Sequence, residues 1–233
     1  TNIAAGTYEV TVTDANGCII KQSFTITEPS ALNSVPSQVN VLCHGESTGS
    51  ATAVISGGVA PYTYVWNKGI TSTTNEATNL SAGTYEVTVT DANGCIIKQS
   101  FTITEPSALN SVPSQVNVLC HGELTGSATA VISGGVAPYK YVWNNGFTST
   151  TNEATNLSAG TYEVTATDAN GCIIKQSFTI TEPTALNSAP SQVDVLCHGE
   201  STGSATAVIS GGVAPYTYVW NNGVTSTTNE ATN

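Results

Sequence analysis

The chain has 233 residues and a formal net charge of −11, with five lysines and neither arginine nor methionine. Phosphate neutralisation needs clustered cations, so this composition argues against nucleic-acid binding, and an anionic membrane surface would repel the chain. No run of about 18 apolar residues occurs, so no membrane-spanning helix is predicted. Thr, Ser, Asn, Gly, Val and Ala dominate the sequence, which is typical of secreted β-rich repeat proteins rather than cytosolic enzymes.

The sequence repeats itself with a period of 77 residues, seen in the spacing of Gly6, Gly83 and Gly160. This period is too long for a solenoid repeat and suits a small domain with its own core. The predicted domains are a truncated repeat at 1–29, complete repeats at 30–106 and 107–183, and a further truncated repeat at 184–233. Because the chain begins and ends inside a repeat, we expect it to be part of a longer protein.

Each complete repeat is predicted to consist of short strands. In the first they are expected at 37–43, 50–56, 62–66, 84–90 and 98–104, with a weak segment at 71–80. Gly- and Pro-containing turns separate them, among them "GGVAP" and the hairpin turn "DANG", and "EPSALNSVP" is predicted to link consecutive repeats. The fold prediction is therefore all-β: a linear array of Ig-like, seven-stranded β-sandwiches of the PKD or fibronectin type III kind.

Aromatic residues support the sandwich. "LSAGTY" fits a tyrosine corner, which assigns structural roles to Tyr8, Tyr85 and Tyr162. Trp66, Trp143 and Trp220 lie where such a sandwich buries a tryptophan, on the same strand face as Tyr62 and Tyr64 in the first repeat. The alternative for this stripe is a sugar-stacking platform. Residues 31–107 and 108–184 differ at six positions, including Thr63/Lys140, predicted to face outward, and Val89/Ala166, predicted to face inward.

Two motifs resemble a known family. "LCHGESTGSATAVISGGVAPYTYVWNNG" and "NLSAGTYEVTVTDANGC" are similar to the SprB repeat, and the resemblance extends to every unit of the chain. It implies a non-enzymatic cell-surface adhesin of gliding bacteria, exported by the type IX secretion system and displayed as a filament that the gliding motor moves. No catalytic residues and no cofactor are carried over.

The polar residues that could hold a ligand are sparse. His44, His121 and His198 follow cysteines in "CHGE", but one histidine per repeat favours a turn residue over a metal site or a Cys–His nucleophile. Asp14, Asp91 and Asp168 open "DANG" and are predicted to cap that turn rather than to bind calcium, which needs more oxygen ligands. Asn79 and Asn156 match a glycosylation sequon, which matters only in a eukaryotic secretory pathway.

Two cysteines per repeat in an exported protein indicate disulfides, and all six are candidates: Cys18, Cys43, Cys95, Cys120, Cys172 and Cys197. Pairing within a repeat would join Cys43 to Cys95 and Cys120 to Cys172. In the expected topology, however, those turns lie at opposite ends, about 23 Å apart along a strand, whereas a disulfide needs Cα atoms within about 7 Å. Pairing between repeats, Cys43 to Cys172, is favoured, and free thiols are the third possibility.

The function that this resemblance implies is that of a stalk or filament segment of an outer-membrane-attached adhesin, and the near-identical repeats lead us to expect that it acts mechanically and by multivalency. Expected partners are a substratum or surface polysaccharide, together with gliding and secretion machinery bound through other regions. Two alternatives stay open. One is an array of carbohydrate-binding modules, for which Phe147 is the one new aromatic residue that could supply a platform, and the other is a set of accessory repeats of a secreted enzyme.

Overall fold

The computed structural model describes residues 2–144, 151–221 and 228–231. The described chain is all-β and divides into two compact units, Thr1–Pro106 and Ser107–Asn233. Among these residues there is no helix of the length and apolarity needed to cross a membrane. The finer division into four domains stays a prediction.

Seventeen strands are described. The first unit contains β1 (Gly6–Thr13), β2 (Ile19–Ile26), β3 (Asn33–Val39), β4 (Gly49–Ser56), β5 (Thr63–Trp66), β6 (Glu76–Leu80), β7 (Gly83–Thr90) and β8 (Ile96–Ile103). The second contains β9 (Asn110–Val116), β10 (Gly126–Ser133), β11 (Lys140–Trp143), β12 (Glu153–Leu157), β13 (Gly160–Thr167), β14 (Ile173–Ile180), β15 (Asn187–Val193), β16 (Ser204–Ser210) and β17 (Glu230–Ala231).

The strands form small antiparallel sheets that recur along the chain. In the first unit the orders are β3-β4-β6 and β5-β7-β8, preceded by the hairpin β1-β2. The second unit repeats this arrangement as β9-β10-β12 and β11-β13-β14, followed by β15-β16-β17. The predicted tandem β-sandwich fold is confirmed. The described strands number six in the repeat 30–106, whereas the sequence pattern predicted seven.

The core of each repeat lies between its two sheets. In the first repeat, Ala51 and Leu80 from one sheet and Val87 and Phe101 from the other belong to a single buried cluster. The buried face of β7 follows from the alternation of its residues, because every second side chain of a strand points to the same side. Trp66 packs against Phe101 with ring centroids 5.5 Å apart. Burying each large apolar side chain contributes about 1.5–3 kcal/mol.

The hairpin β1-β2 shows that the apolar face of a sheet is buried only when a second sheet covers it. Phe24 occupies the same repeat position as Phe101, yet it is 51% exposed, whereas Phe101 is 2% exposed. In the described structure β1 and β2 pair only with each other. The hairpin therefore forms from local pairing, and burial of its apolar face depends on an opposing sheet.

The first strand of the repeat begins earlier than predicted. β3 runs from Asn33 to Val39 rather than over 37–43, and β9 likewise begins at Asn110, inside the predicted linker. After Val39 the chain leaves its sheet and crosses to the other, where the N–H of Val41 donates to the carbonyl of Thr104 at 3.0 Å. Val41 is consequently buried while Val39 is 54% exposed, although the two share the alternation.

Candidate functional site

The two ends of the repeat carry its polar residues and its cysteines. One end contains the DANG turn (residues 91–94), between β7 and β8, and the GGVAP loop (residues 57–61), between β4 and β5. The other end contains the CHGE loop (residues 40–48), between β3 and β4. Because cysteines occur only in or beside the DANG turn and the CHGE loop, these ends are the candidate functional site.

Asp91 ties the DANG turn to the GGVAP loop. Its Oδ1 accepts hydrogen bonds from the N–H groups of Asn93 at 2.9 Å and Cys95 at 2.8 Å, which confirms the predicted capping of the turn. Its Oδ2 accepts a further bond from the N–H of Val59 at 3.0 Å, across 32 residues. Asp168 makes the same contacts with Asn170, Cys172 and Val136 in the second repeat. Sequence reasoning found the local capping and missed this longer link.

These bonds decide the ionisation of the carboxyl group. Burial of Asp91 raises its pKa, but the hydrogen bonds from the N–H groups of Cys95, Val59 and Asn93 favour the charged form and together hold the pKa below its ordinary value. Asp168 behaves in the same way. In the hairpin β1-β2, the bonds from Cys18 and Asn16 likewise lower the pKa of Asp14. The turn is therefore held by a carboxylate at neutral pH.

The repeat begins at this same end. The N–H of Gly58 donates to the carbonyl of Ser30 at 2.8 Å, and in the second repeat the N–H of Gly135 donates to the carbonyl of Ser107 at 2.8 Å. Gly57 has φ of 71°, and a Cβ there would lie 2.0 Å from the carbonyl oxygen of Ala31. Only glycine permits this close approach, so the "GG" pair positions the incoming chain beside the DANG turn.

The repeat ends at the CHGE loop. Glu105 accepts a hydrogen bond from the N–H of Gly45 at 2.6 Å, and its other oxygen lies 3.3 Å from Nδ1 of His44. The same nitrogen lies 3.2 Å from the carbonyl oxygen of Pro106. In the second repeat Glu182 contacts Gly122 and His121 in the same way. The predicted turn histidines of the first two repeats thus contact the residues through which the chain leaves the repeat.

The two ends lie on opposite sides of the sandwich. Strand β8 begins directly after the DANG turn and Cys95, and the residues after it, Thr104 to Pro106, contact the CHGE loop. Its eight residues span about 27 Å at a rise of about 3.4 Å per residue. A disulfide between Cys43 and Cys95 would have to bridge this length, which is beyond the reach of its Cα atoms.

The cysteines differ in oxidation state. Cys43 and Cys172 are half-cystines and half-buried. The remaining four carry exposed free thiols: Cys18, Cys95, Cys120 and Cys197. The within-repeat alternative, which pairs Cys43 with Cys95 and Cys120 with Cys172, therefore does not fit, because one member of each pair is a free thiol.

The corner tyrosines bond to the chain just upstream. The hydroxyl of Tyr85 donates to the carbonyl of Ser81 at 3.0 Å, and that of Tyr162 donates to Ser158 at 3.1 Å. In the hairpin β1-β2 the hydroxyl of Tyr8 donates to the carbonyl of Ala4 at 2.8 Å. Lys68 lies over the ring of Tyr85, 4.8 Å from its centroid. These contacts fix the turn that leads from β6 into β7.

The tryptophans of the two complete repeats take part in the core rather than in an open platform. Trp66 and Trp143 are buried, and their Nε1 groups donate to the carbonyls of Thr74 and Thr151, respectively. Trp220 makes the same kind of bond to Thr228. In the first repeat Tyr62 and Tyr64 pack against the core from half-buried positions.

The first repeat has an open hollow, lined by residues between β5 and β6 and by residues of β6. It has a volume of about 420 Å³, and Ile70, Ser72, Glu76 and Asn79 are among its mostly polar lining residues. Phe147, the counterpart of Ile70 in the second repeat, lies outside the described residues. The two sequon asparagines, Asn79 and Asn156, lie in β6 and β12, respectively, and each has a φ of 57°.

The variable positions have the exposure that the sequence pattern predicts. Thr63 and Lys140 are both exposed, while Val89 and Ala166 are both buried. No group of three or more His, Cys, Asp or Glu side chains that could hold a metal ion is found within the described ranges.

The comparison with protein families identifies the repeat. The family model of the SprB repeat matches residues 35–71, 112–148 and 189–225. The chain is a tandem array of SprB repeats. Each match begins in the first strand of a repeat and runs through the CHGE loop, the GGVAP loop and the tryptophan. No curated protein matches the chain. SprB repeats indicate a repeat segment of an extracellular, adhesin-like surface protein, and the all-β repeat suggests a structural rather than a catalytic module.

Proposed function

We propose that the SprB repeats form the stalk of a large adhesin on the surface of gliding bacteria and that they act by length and mechanical strength. The observation that carries this proposal is the path of the chain through one repeat. The chain enters at the DANG end, where Ser30 is bound, and leaves at the opposite end, where Pro106 is bound. Each repeat then adds about 35–45 Å, from strand rise plus turns.

The contacts between the first and last strands support a mechanical role. β3 and β8 both run from the DANG end to the CHGE end, and Nε2 of Gln38 donates to the carbonyl of Thr102 at 2.7 Å. Oδ1 of Asn40 accepts a bond from the N–H of Thr104 at 3.0 Å, beside the bond from Val41. Tension would pull the start of β3 and the end of β8 in opposite directions. These bonds would then be sheared together rather than opened one after another.

The wider setting of the stalk is part of the same proposal. Export by the type IX system, attachment to the outer membrane and movement by the gliding motor are proposed because other SprB-type adhesins are expected to work in this way. The net charge of −11 supports an exposed filament, because like charge keeps neighbouring filaments apart in solution. The proposed partner at the tip or along the stalk is a substratum or a surface polysaccharide.

The proposal is tested by exchanging the repeats in the whole surface protein. One variant replaces every repeat by an unrelated sandwich domain of similar length, and a second deletes the repeats without replacement. A stalk predicts that the exchange keeps cell attachment and gliding near the wild-type level while the deletion abolishes both. Loss of attachment with the length-matched exchange would contradict it and would show that the repeats themselves bind.

The hollow in the first repeat favours carbohydrate binding as a second candidate function. Its polar lining, with Glu76 and Asn79, could accept sugar hydroxyls. Titration of the purified chain with neutral polysaccharides tests this candidate, with Glu76→Ala as the variant and Glu46→Ala, at a residue that does not line the hollow, as the control. Saturable binding that Glu76→Ala removes and Glu46→Ala retains would establish it, and equal or undetectable binding by all three proteins would reject it.

A further inference from the structure

Two different cysteine positions lie at the ends by which the chain leaves one repeat and enters the next. On one side, Cys43 precedes His44, whose Nδ1 lies 3.2 Å from the carbonyl oxygen of Pro106. Cys43 therefore lies at the end from which the chain leaves the first repeat. The peptide bond to Ser107 follows directly, so the next repeat begins beside this end.

On the other side, hydrogen bonds lead from Ser107 to Cys172. The carbonyl of Ser107 accepts a bond from Gly135, and the neighbouring N–H of Val136 donates to Asp168 at 2.9 Å. Asp168 in turn accepts a bond from the N–H of Cys172 at 2.9 Å. Cys172 therefore lies at the end at which the chain enters the second repeat.

We propose that Cys43 and Cys172 form a disulfide that joins consecutive repeats, and that the same offset of 129 positions recurs at every junction of the array. Both are half-cystines, and within their own repeats the other cysteines, Cys95 and Cys120, are free thiols. For each of the four free thiols the same offset falls outside residues 1–233. On formation, the two thiols release two protons and pass two electrons to a disulfide oxidant met during export.

The disulfide determines which residues bear load when the chain is under tension. When the chain is pulled from its ends, force passes from Cys43 directly to Cys172 through the sulfur–sulfur bond, so the bond relieves the β3–β8 contacts of the shear that they would bear without it. Residues 44–171 form a closed loop that carries no load once it unfolds. Without the bond, these 128 residues could extend to about 46 nm at about 3.6 Å per residue. The bond thus removes most of the extensible length of the chain.

A continuous array would become nearly inextensible. If the same offset holds throughout, the shortest covalent path along the array alternates between disulfides and short backbone segments. It crosses from Cys43 to Cys172 through a disulfide, follows the backbone to Cys197, and crosses from there into the following repeat through the next disulfide. This path advances two repeats using 25 residues, or about 95 Å at full extension including the disulfide. Two folded repeats are about 70–90 Å long. Unfolding could then lengthen the array by only a fraction, whereas an unbonded array could stretch several-fold. This inference does not depend on what the repeats adhere to.

The pairing is tested first by a peptide map of the full chain without reductant. The five lysines, with no arginine, place each of the six cysteines in a separate tryptic peptide. The proposal predicts one cross-linked species, residues 22–68 with residues 141–175, that disappears on reduction. A cross-link of 22–68 with 69–98 would overturn it, and so would six unlinked peptides.

Single-molecule stretching of the full chain, held at its two ends, tests the mechanical consequence. The oxidised chain should lack about 45 nm of unfolding length that appears after reduction or in Cys43→Ser. The control Cys95→Ser/Cys120→Ser, which changes two free thiols, should stretch like the unaltered chain. Two separate gains of about 18 nm on reduction would instead indicate closed loops at 44–94 and 121–171, and would overturn the proposal. Equal lengths with and without reductant would overturn it as well.

Discussion

Replacing Val89 by alanine should lower the free energy of unfolding of the first complete repeat by about 1.5–3 kcal/mol. Val89 is fully buried and lies across from Tyr64 on β5 and from Ile97 on β8. Two methyl groups leave the core, and each contributes about 0.8 kcal/mol of transfer free energy. The cavity that they leave accounts for the rest of the range, since packed neighbours collapse only in part.

Amide hydrogen exchange in β7 and β13 measures this change, because those strands report on the two repeats separately. Val65→Ala is the matched control: Val65 lies on the neighbouring strand and is 67% exposed, so we expect a change within about 0.5 kcal/mol. Ala166→Val is the reciprocal variant, which should stabilise the second repeat if the cavity has persisted there and destabilise it if the neighbours have closed in. If Val89→Ala has no larger effect than Val65→Ala, the inward assignment of this position and the reasoning from it are refuted.

Three further predictions concern the hydrogen bonds at the ends of the repeat. Tyr85→Phe should lower the free energy of unfolding in urea by about 0.5–1.5 kcal/mol without a change of fold, because the carbonyl of Ser81 loses its donor, and an unchanged midpoint would reject the corner. Because the folded pKa values of Asp91 and Asp168 are lowered, their contribution to stability should be complete above about pH 4 and be lost as the pH falls further. Thermal melts from pH 6 to pH 2 check this, and a melting temperature that does not fall in acid would contradict it. Glu105→Gln should speed hydrogen exchange at Gly45, whereas Glu46→Gln should not, and equal rates in both variants would show that the carboxylate does not hold the CHGE loop.

Much of the fold could be predicted because the alternation of each strand matches its burial. Tyr85, Val87 and Val89 alternate and are all buried, and Phe101 and Ile103 follow the same rule on β8. The 77-residue period further indicated that this core recurs. These are local patterns, which the sequence carries directly.

The end of β3 could not be predicted, because the alternation of Val39, Val41 and Cys43 continues past the residue at which the strand ends. The strand leaves its sheet where a distant partner, Thr104, becomes available, and no local pattern encodes that contact. In β4 the small Ala51 and Ala53 are buried while Val54 is 51% exposed, so the size of one apolar side chain does not identify the buried face.

Only the local contacts of the candidate site could be predicted from the sequence, because its other contacts join residues that are far apart in the chain. Capping of the DANG turn by Asp91 is local and follows from residue type. Its bond to Val59 spans 32 residues, and the bond from Gly45 to Glu105 spans 60 residues. Contacts of this kind depend on how the two sheets bring loops together at one end, which becomes known only once the sandwich is built.

The central claim, that SprB repeats act as a stalk, is tested most directly by measuring length against repeat number. Electron microscopy of purified surface proteins that carry different numbers of repeats gives the contour length of each molecule. The stalk predicts a linear increase of about 35–45 Å for every added repeat. A length that does not grow with repeat number, because the repeats fold back on one another, would contradict it.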